Sequence, residues 1–386
     1  MSSSNNKELI SKASPHTIRK FELIEEYIKA WSQKLMLNKH CNGIMFIDCM
    51  CNSGLYHDEK GDVLTGTPIR VATALRKVAD QYPSKKVVLC FNDIDKRKTD
   101  LLQENIPSNT GNYRIVIKHE DGNDLLKQIG CQLDSTKHLH YFLLYDPYDA
   151  SIDWEALFPF FRNWGEVLIN HMVSDPVRAI TQVKKESKKV KYESTYLDAF
   201  ENLVPFGSDK NAYEKRVEKI IKSMKGTRQY FIAAFPFYNT QNSQVYSLIH
   251  CTGNIVGFRL YKTTAWKTFG DKSSTKNSHV DNRQLTFDFE DQGKVTTETD
   301  ESCYVVADIA KYLYKVFSGK ENVPLQKLWD QLDYHPVFPS EGYRNEIKSD
   351  LEKLFGVVFT QKVNSLSGRK ETVASFFKGT PNYEKG

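Results

Sequence analysis

Short, unbroken apolar runs that end in acids alternate along this chain with longer stretches whose apolar residues recur every three or four positions. Ile44-Met45-Phe46-Ile47 is too short for a helix and is bulky and β-branched, which predicts a strand buried on both faces, as in a parallel sheet. It runs into Asp48-Cys49-Met50-Cys51-Asn52-Ser53-Gly54. Val87-Val88-Leu89-Cys90-Phe91 leads in the same way into Asn92-Asp93-Ile94-Asp95, and Tyr141-Phe142-Leu143-Leu144 into Tyr145-Asp146-Pro147-Tyr148-Asp149. Tyr113 to Lys118 predicts a shorter strand before Glu120-Asp121-Gly122-Asn123-Asp124, and Gly165 to His171 another, with Asn170 or His171 at its end.

Helical spacing fills the gaps. Ser14-Pro15 reads as N-cap and first helical residue, ahead of Ile18, Phe21, Ile24 or Ile28, Trp31 and Leu35. Thr67-Pro68 opens a second helix carrying Ile69, Val71, Ala72, Leu75 and Val78, with Thr67 as its cap. Trp154 to Trp164 predicts an aromatic helix. Arg228 to Pro236 and Val245 to Cys251 predict an antiparallel hairpin that closes the sheet.

This pattern predicts an α/β fold whose parallel strands present acids along one carboxyl edge, where open α/β sheets bind ligands. Small residues after Asp48 let a backbone approach a nucleoside, and a carboxylate offers two acceptors to a vicinal diol. Asp93 is preferred for that diol, with Asp95 as the alternative or as the cap of the next helix. The same strand-to-turn sequence also suits an ordinary structural turn. No G-x-G-x-x-G follows any strand, which disfavours a dinucleotide-dependent oxidoreductase.

From about residue 176 to 226 the composition changes. Lys184, Lys185, Lys188, Lys189 and Lys191 are interleaved with Tyr192, Tyr196, Phe200 and Tyr213, a pattern that suits a phosphate backbone or, equally, a solvated helix face. Residues 267–302 are polar and read as a linker. Beyond them, helices over Tyr304 to Phe317, Val323 to Leu332 and Glu341 to Phe355 precede two strands flanking Ser365 to Lys370. That is a winged-helix pattern over 303–386, with Arg344, Lys348, Arg369 and Lys370 as phosphate contacts. Residues 1–266 then form the Rossmann-like unit with its helical insertion.

Length and charge bound these readings without changing them. The 386 residues, 40% hydrophobic, suffice for a large core, and 53 basic against 48 acidic residues give a net charge of +5 that permits nucleic acid as a partner. The seven cysteines form no C-x-x-C pair and read as reduced core thiols, and Cys49 and Cys51 lack the further ligands that zinc needs. The opening residues carry no apolar signal core and no apolar run reaches membrane-spanning length, so a soluble cytoplasmic protein is expected, with no membrane partner and no metal.

The order of these strands and acids resembles a class I S-adenosylmethionine-dependent methyltransferase. More specifically, F-I-D-C-M-C-N-S-G-x-Y, the following G-T-P-I-R, F-N-D-I-D, E-D-G-N-D-L-L, Y-D-P-Y-D and V-L-I-N resemble the bacterial three-Cys-motif partner protein family, across most of the chain. The resemblance implies a class I methyltransferase-like sheet with a suspected link to nucleic-acid processing or antiphage defence, and a protein partner encoded nearby. It implies S-adenosylmethionine as cofactor on Asp48, Asn52, Ser53 and Gly54, its ribose on Asp93 and its adenine near Asp121, with Asp124 as the alternative there. By likeness to the D-P-P-[YF] of amino-group methyltransferases, Asp146, Pro147 and Tyr148 hold an exocyclic base amine of DNA or RNA. Cys51-Asn52 stands where Ala-Gly is common, and Asp149 where Gly follows D-P-Y. The leading expectation is therefore methyl transfer to a nucleobase amine, and the rival a non-catalytic nucleic-acid-binding or docking protein on the same scaffold.

Overall fold

A computed structural model describes residues 9–136, 138–173, 186–203, 212–225, 228–277, 302–363 and 368–378. Lys184, Lys185, the side chain of Lys188, positions 278–301 of the expected linker and the wing tip at 364–367 lie outside the described residues.

Strand β1 (Ser11–Lys12) precedes helix α1 (Pro15–Leu37), β2 (Gly43–Asp48), β3 (Leu55–His57), β4 (Val63–Thr65) and α2 (Thr67–Gln81). Then come β5 (Lys86–Asn92), α3 (Lys96–Asn105), β6 (Tyr113–Lys118), α4 (Gly122–Gln132), β7 (His140–Tyr145), α5 (Trp154–Leu157) and β8 (Gly165–Met172). Helices α6 (Glu186–Tyr196) and α7 (Ala212–Met224) lead to β9 (Phe231–Tyr238), β10 (Gln244–Thr252) and α8 (Ile255–Thr268). The last elements are α9 (Val306–Phe317), β11 (Val323–Pro324), α10 (Leu325–Asp333), α11 (Arg344–Phe355), β12 (Val358–Val363) and β13 (Lys370–Ser375).

The central sheet has seven strands in the order β6-β5-β2-β7-β8-β10-β9. Strands β6, β5, β2, β7 and β8 are mutually parallel, and β10 runs antiparallel to both neighbours, β8 and β9. From β2 the chain winds outward through β5 to β6, then returns to build β7 and β8 on the other side. The switch point therefore falls between β2 and β7, and in such sheets the ligand crevice opens there, at the carboxyl ends. Register sets the depth of that edge: Asp48 lies opposite Phe91 and Leu144, so the residues just past β5 and β7 flank it.

Each face of the sheet carries its own core. Helices α1, α2 and α8 cover one face, where Tyr27, Trp31, Phe46, Phe142, Phe235 and Trp266 are buried. Helices α4 to α7 cover the other with Tyr141, Trp154, Phe160, Tyr196, Tyr213 and Ile221. In α1 the expected Phe21, Ile24, Ile28 and Trp31 are buried, but Ile18 and Leu35 only half so, and Lys20 is buried among them. The aromatic helix expected over Trp154 to Trp164 is one α turn and one 3₁₀ turn that stop at Phe160.

Ser14 is the N-cap of α1 and Pro15 its first helical residue, as expected, while the cap of α2 differs. The Ser14 hydroxyl turns to His16 Nε2 (2.8 Å) and Thr17 (2.9 Å), leaving the start of α1 without a side-chain cap. Helix α2 is capped at Gly66, and Thr67 is already helical. A Cβ on residue 66 would come within 2.3 Å of the Tyr56 ring, and the Gly66 N–H donates to the Gly54 carbonyl at 2.7 Å, so the turn needs a glycine there.

The C-terminal elements form three helices on a three-stranded sheet, β11-β13-β12, with antiparallel pairing. Helix α8 packs against both units: Trp266 Nε1 donates to the Val337 carbonyl at 3.0 Å, and Arg259 pairs with Asp333 at 2.8 Å. The buried Lys262 ammonium meets the carbonyls of Leu332, Asp333 and His335 at 2.8, 3.1 and 2.7 Å. Among the described residues, no helix is long and apolar enough to cross a membrane.

Candidate functional site at the carboxyl edge

Asp48, Asp93 and Asp146 end or follow β2, β5 and β7, and the sheet brings all three to one edge. Asp48 is almost fully buried and accepts one hydrogen bond, from the Met50 N–H at 3.2 Å. Burial, and then the neighbouring Asp146 carboxylate, push its pKa up to about 8. No cation forms an ion pair with it among the described residues. An uncompensated carboxyl in this setting stays protonated until a positive charge arrives or the pH climbs.

Asp146 is differently placed. Lys20 of α1 reaches Oδ2 at 2.6 Å, and the Asn170 amide of β8 donates to Oδ1 at 2.5 Å. Lys20 and Asp146 are 126 residues apart, so no local motif announces the pair. The Lys20 ammonium also lies 5.4 Å from the Tyr246 ring, whose hydroxyl donates to the His16 carbonyl at 2.9 Å. Tyr56 packs on Phe21 with ring centroids 4.8 Å apart. Burial, Asp146 and Asp48 all raise its pKa, which places the phenol beside both acids. Lys20 and Tyr246 are thus site residues that the sequence reading missed.

The turn after β2 is used in ways its composition did not reveal. Asn52 has φ of 59°, the left-handed region, and its N–H donates to Asp93 Oδ2 at 3.1 Å. Its side-chain amide reaches Ser11 Oγ at 3.4 Å, and the buried Ser53 hydroxyl donates to the Leu9 carbonyl at 2.8 Å. Residues 9–12 therefore lie along this turn, with β1 paired to β3. Gly54 has φ of 75°, and a Cβ there would meet Ile69 at 2.8 Å and Leu102 at 2.9 Å. The core behind the turn therefore leaves no room for a side chain there.

Asp93 is nearly fully buried. Its Oδ1 accepts from the Asp95 N–H at 2.9 Å, and its Oδ2 accepts from Asn52 and from the Tyr148 hydroxyl. Lys98 lies 3.9 Å from the carboxylate and 3.2 Å from the Tyr148 oxygen. Asp95, the alternative for the diol, is the N-cap of α3 and pairs with Arg97 at 2.6 Å. Asp121, expected near the adenine, is the N-cap of α4: its Oδ1 accepts from the N–H groups of Asn123 and Asp124 at 2.9 and 3.1 Å. The fully buried Asn92 holds this loop to the first turn, donating to the Cys49 and Glu120 carbonyls at 2.9 Å each.

Asp149, which adds charge to the D-P-Y-D motif, contacts Lys191 of α6 and both the N–H and hydroxyl of Ser151. Burial opposes its ionisation, but Lys191 and Ser151 outweigh that and hold its carboxyl below the ordinary range. Lys191 is thereby committed to Asp149. Lys189 lies 5.6 Å from the Phe200 ring. The aromatics of the insertion do not interleave with these lysines on a surface: Tyr196, Phe200 and Tyr213 are buried, because they close the core over β8 and β7. In the C-terminal unit, Arg344 lies 5.3 Å from the Trp329 ring and Lys348 5.0 Å from that of Phe359, while Arg369 and Lys370 are exposed. These four residues belong to the C-terminal unit and are not among the partners of the three edge carboxylates.

No family model and no curated protein sequence matches the chain. Solved structures similar to it include a DUF519 protein from Legionella pneumophila str. Philadelphia 1, with TM-score 0.38 and 9% identity over 66% of this chain and 92% of that one. A candidate caffeoyl-CoA O-methyltransferase from Staphylococcus aureus aligns with TM-score 0.27 and 10% identity over 59% of this chain and 82% of its own. A loganic acid methyltransferase with SAH aligns with TM-score 0.28 and 11% identity, covering 67% and 87%. At such scores the likeness carries no argument, and function has to be argued from the chain's own edge.

Proposed function

We propose that this chain is an S-adenosylmethionine-dependent methyltransferase acting on an exocyclic amine of a nucleic-acid base. The observation that carries the reading is the charge imbalance at the switch point. Three carboxylates converge there, Lys20 answers Asp146 and Lys98 lies near Asp93, while Asp48 is buried with no ion-pair partner among the described residues. A ligand with both a nucleoside and positive charge fits that imbalance, and a diol fits Asp93. When bound, S-adenosylmethionine supplies an electrophilic methyl group on a positively charged sulfur.

The chain's own residues position and polarise. Lys20 and Asn170 fix the Asp146 carboxylate, which retains acceptor sites beyond those two, because a carboxylate offers about four. Asp146 and the Pro147 carbonyl accept the two hydrogens of the amine and aim its lone pair along the crevice. Catalysis of this kind rests on alignment and on a polar frame that needs no reorganisation. Lys20 holds the Asp146 carboxylate in place as a hydrogen-bond acceptor, and the proton released from the methylated nitrogen passes to solvent.

We read the C-terminal unit as a winged helix that engages the nucleic-acid backbone through Arg344, Lys348, Arg369 and Lys370. Its order of helix, short strand, two helices and hairpin supports that reading. A non-catalytic binding protein on the same scaffold is the rival, favoured by Tyr148 on Asp93 and by residues 9–12 along the turn. Incubation with S-adenosylmethionine labelled in its methyl group and total cellular nucleic acid separates the two. Label transferred to base amines supports the enzyme, and absence of transfer together with no calorimetric response to the cofactor supports the rival.

A further inference from the structure

Asp93 is the acceptor that a nucleoside diol needs, and it is already engaged. Its two oxygens take three donors: the Asp95 N–H, the Asn52 N–H and the Tyr148 hydroxyl. A carboxylate has about four acceptor sites, so one remains where a vicinal diol requires two. The backbone donors belong to turns that the fold fixes. Tyr148 is the one contributor able to leave, since its residue is 62% exposed and its ring lies outside the core.

The same ring is held shut from the side. Lys98 donates to the Tyr148 oxygen at 3.2 Å and sits 5.0 Å from the ring centroid, while remaining 3.9 Å from Asp93. Burial and the Asp93 carboxylate both push the phenol's pKa up, so it is a proton donor here at every physiological pH. Pro147 fixes the backbone just before it, so the ring swings about its own side-chain torsions.

We propose that Tyr148 is a latch on the ribose seat: its hydroxyl and the cofactor's diol compete for Asp93, so cofactor entry expels the ring and releases it toward the base-binding side beside Asp146. This inference rests on the proposed function and adds an order to it. The aromatic surface that would stack on a base becomes available only once the nucleoside of the cofactor is seated, and binding of the first ligand prepares the site for the second.

The test is calorimetric binding of S-adenosylhomocysteine to the full chain and to Tyr148→Phe, which deletes the competing hydroxyl and keeps the ring. The variant is expected to bind about ten-fold tighter, the scale of a hydrogen bond to a charged group. That gain is expected to vanish when Asp93→Asn is added, because no carboxylate is then contested. Wild-type binding with equal or weaker binding by Tyr148→Phe overturns the latch and leaves the methyltransferase reading standing, as does an equal gain in the Asp93→Asn background. No binding by wild type or Tyr148→Phe removes the cofactor reading and the latch together.

Discussion

Two buried carboxylates sit at opposite ends of the same sheet, and only one of them is met by side-chain donors. Toward the amino end of β8, the Glu166 carboxylate receives the Tyr27 hydroxyl at 2.5 Å and His250 Nε2 at 2.7 Å. Gly257 makes room for it, since a Cβ there would lie 2.3 Å from Glu166 Oε1. At the carboxyl edge Asp48 has one backbone donor and, among the described residues, no ion-pair partner; burial and then Asp146 raise its pKa, and the nearby Lys20 offsets them only in part. Buried groups in a folded chain are ordinarily partnered, so the Glu166 carboxylate with its two side-chain donors reads as structure. The second is left incomplete where open sheets bind ligands, which marks it as a site.

Removing the transfer geometry is the most severe way to test this contrast. Asp146→Ala is expected to abolish methyl transfer, at least on the order of 100-fold, while S-adenosylmethionine affinity stays within a few-fold. Lys20→Met should lower the rate by a similar order without abolishing cofactor binding, because the ammonium orients Asp146. Single-turnover rates with labelled cofactor, alongside calorimetry, separate the two effects. Full activity in Asp146→Ala would reject the assignment of this edge as the transfer site.

The opposite cluster predicts a loss of stability instead. Glu166→Ala leaves Tyr27 and His250 buried without their shared acceptor, and chemical unfolding should show a loss of about 3–5 kcal/mol. The buried Lys262 behaves alike at the junction with the C-terminal unit. Burial lowers its pKa to about 7, Asp333 opposes that shift, and three carbonyls hold the ammonium. Lys262→Met strips those carbonyls of their donor and should cost about 1–3 kcal/mol. A Glu166→Ala loss within about 1 kcal/mol would place that pair with ordinary surface pairs and erase the contrast.

Much of this edge was legible because strands buried on both faces must be written as continuous apolar runs. The acids ending three such runs therefore stood out, and a parallel sheet followed from the alternation with helices. What stayed hidden depends on meetings that local patterns do not encode. Lys20 looked like one more polar position of an amphipathic helix, yet its partner lies in β7's turn. Tyr148 looked free to stack on a base, yet it donates to Asp93, 55 residues earlier. Tyr56 and Gly66 form a single close contact that neither residue announces alone. The capping of α2 by Gly66 rather than Thr67 follows from that contact, a tertiary constraint overriding a cap preference.

Titration gives a milder separation. The folded-state pKa of Asp48 is raised from 3.8 to about 8, so the folded chain holds a proton that the unfolded chain releases. The stability tied to this group is fully present below the ordinary carboxyl range and is lost as pH rises through about 8. Asp48→Asn should flatten that decline in unfolding experiments between those limits. A cationic ligand favours the ionised form, so S-adenosylmethionine affinity should rise over the same window in wild type and lose that dependence in Asp48→Asn. Identical pH profiles for the two proteins would mean that Asp48 is not the uncompensated group.

The smallest effects are expected among the lysines of the insertion. Lys191 is answered by Asp149, so replacing it by Ala removes little field from the surface and should change nucleic-acid affinity by less than about two-fold. Charge reversal at Lys188 and Lys189 should weaken binding several-fold and reduce the slope of log affinity against log salt by about one for each phosphate no longer neutralised. Titration of a labelled single-stranded oligonucleotide at several salt concentrations measures both quantities. An unchanged slope in the Lys188/Lys189 variant would return that run to a solvated helix face and leave Arg344, Lys348, Arg369 and Lys370 to meet the phosphate backbone.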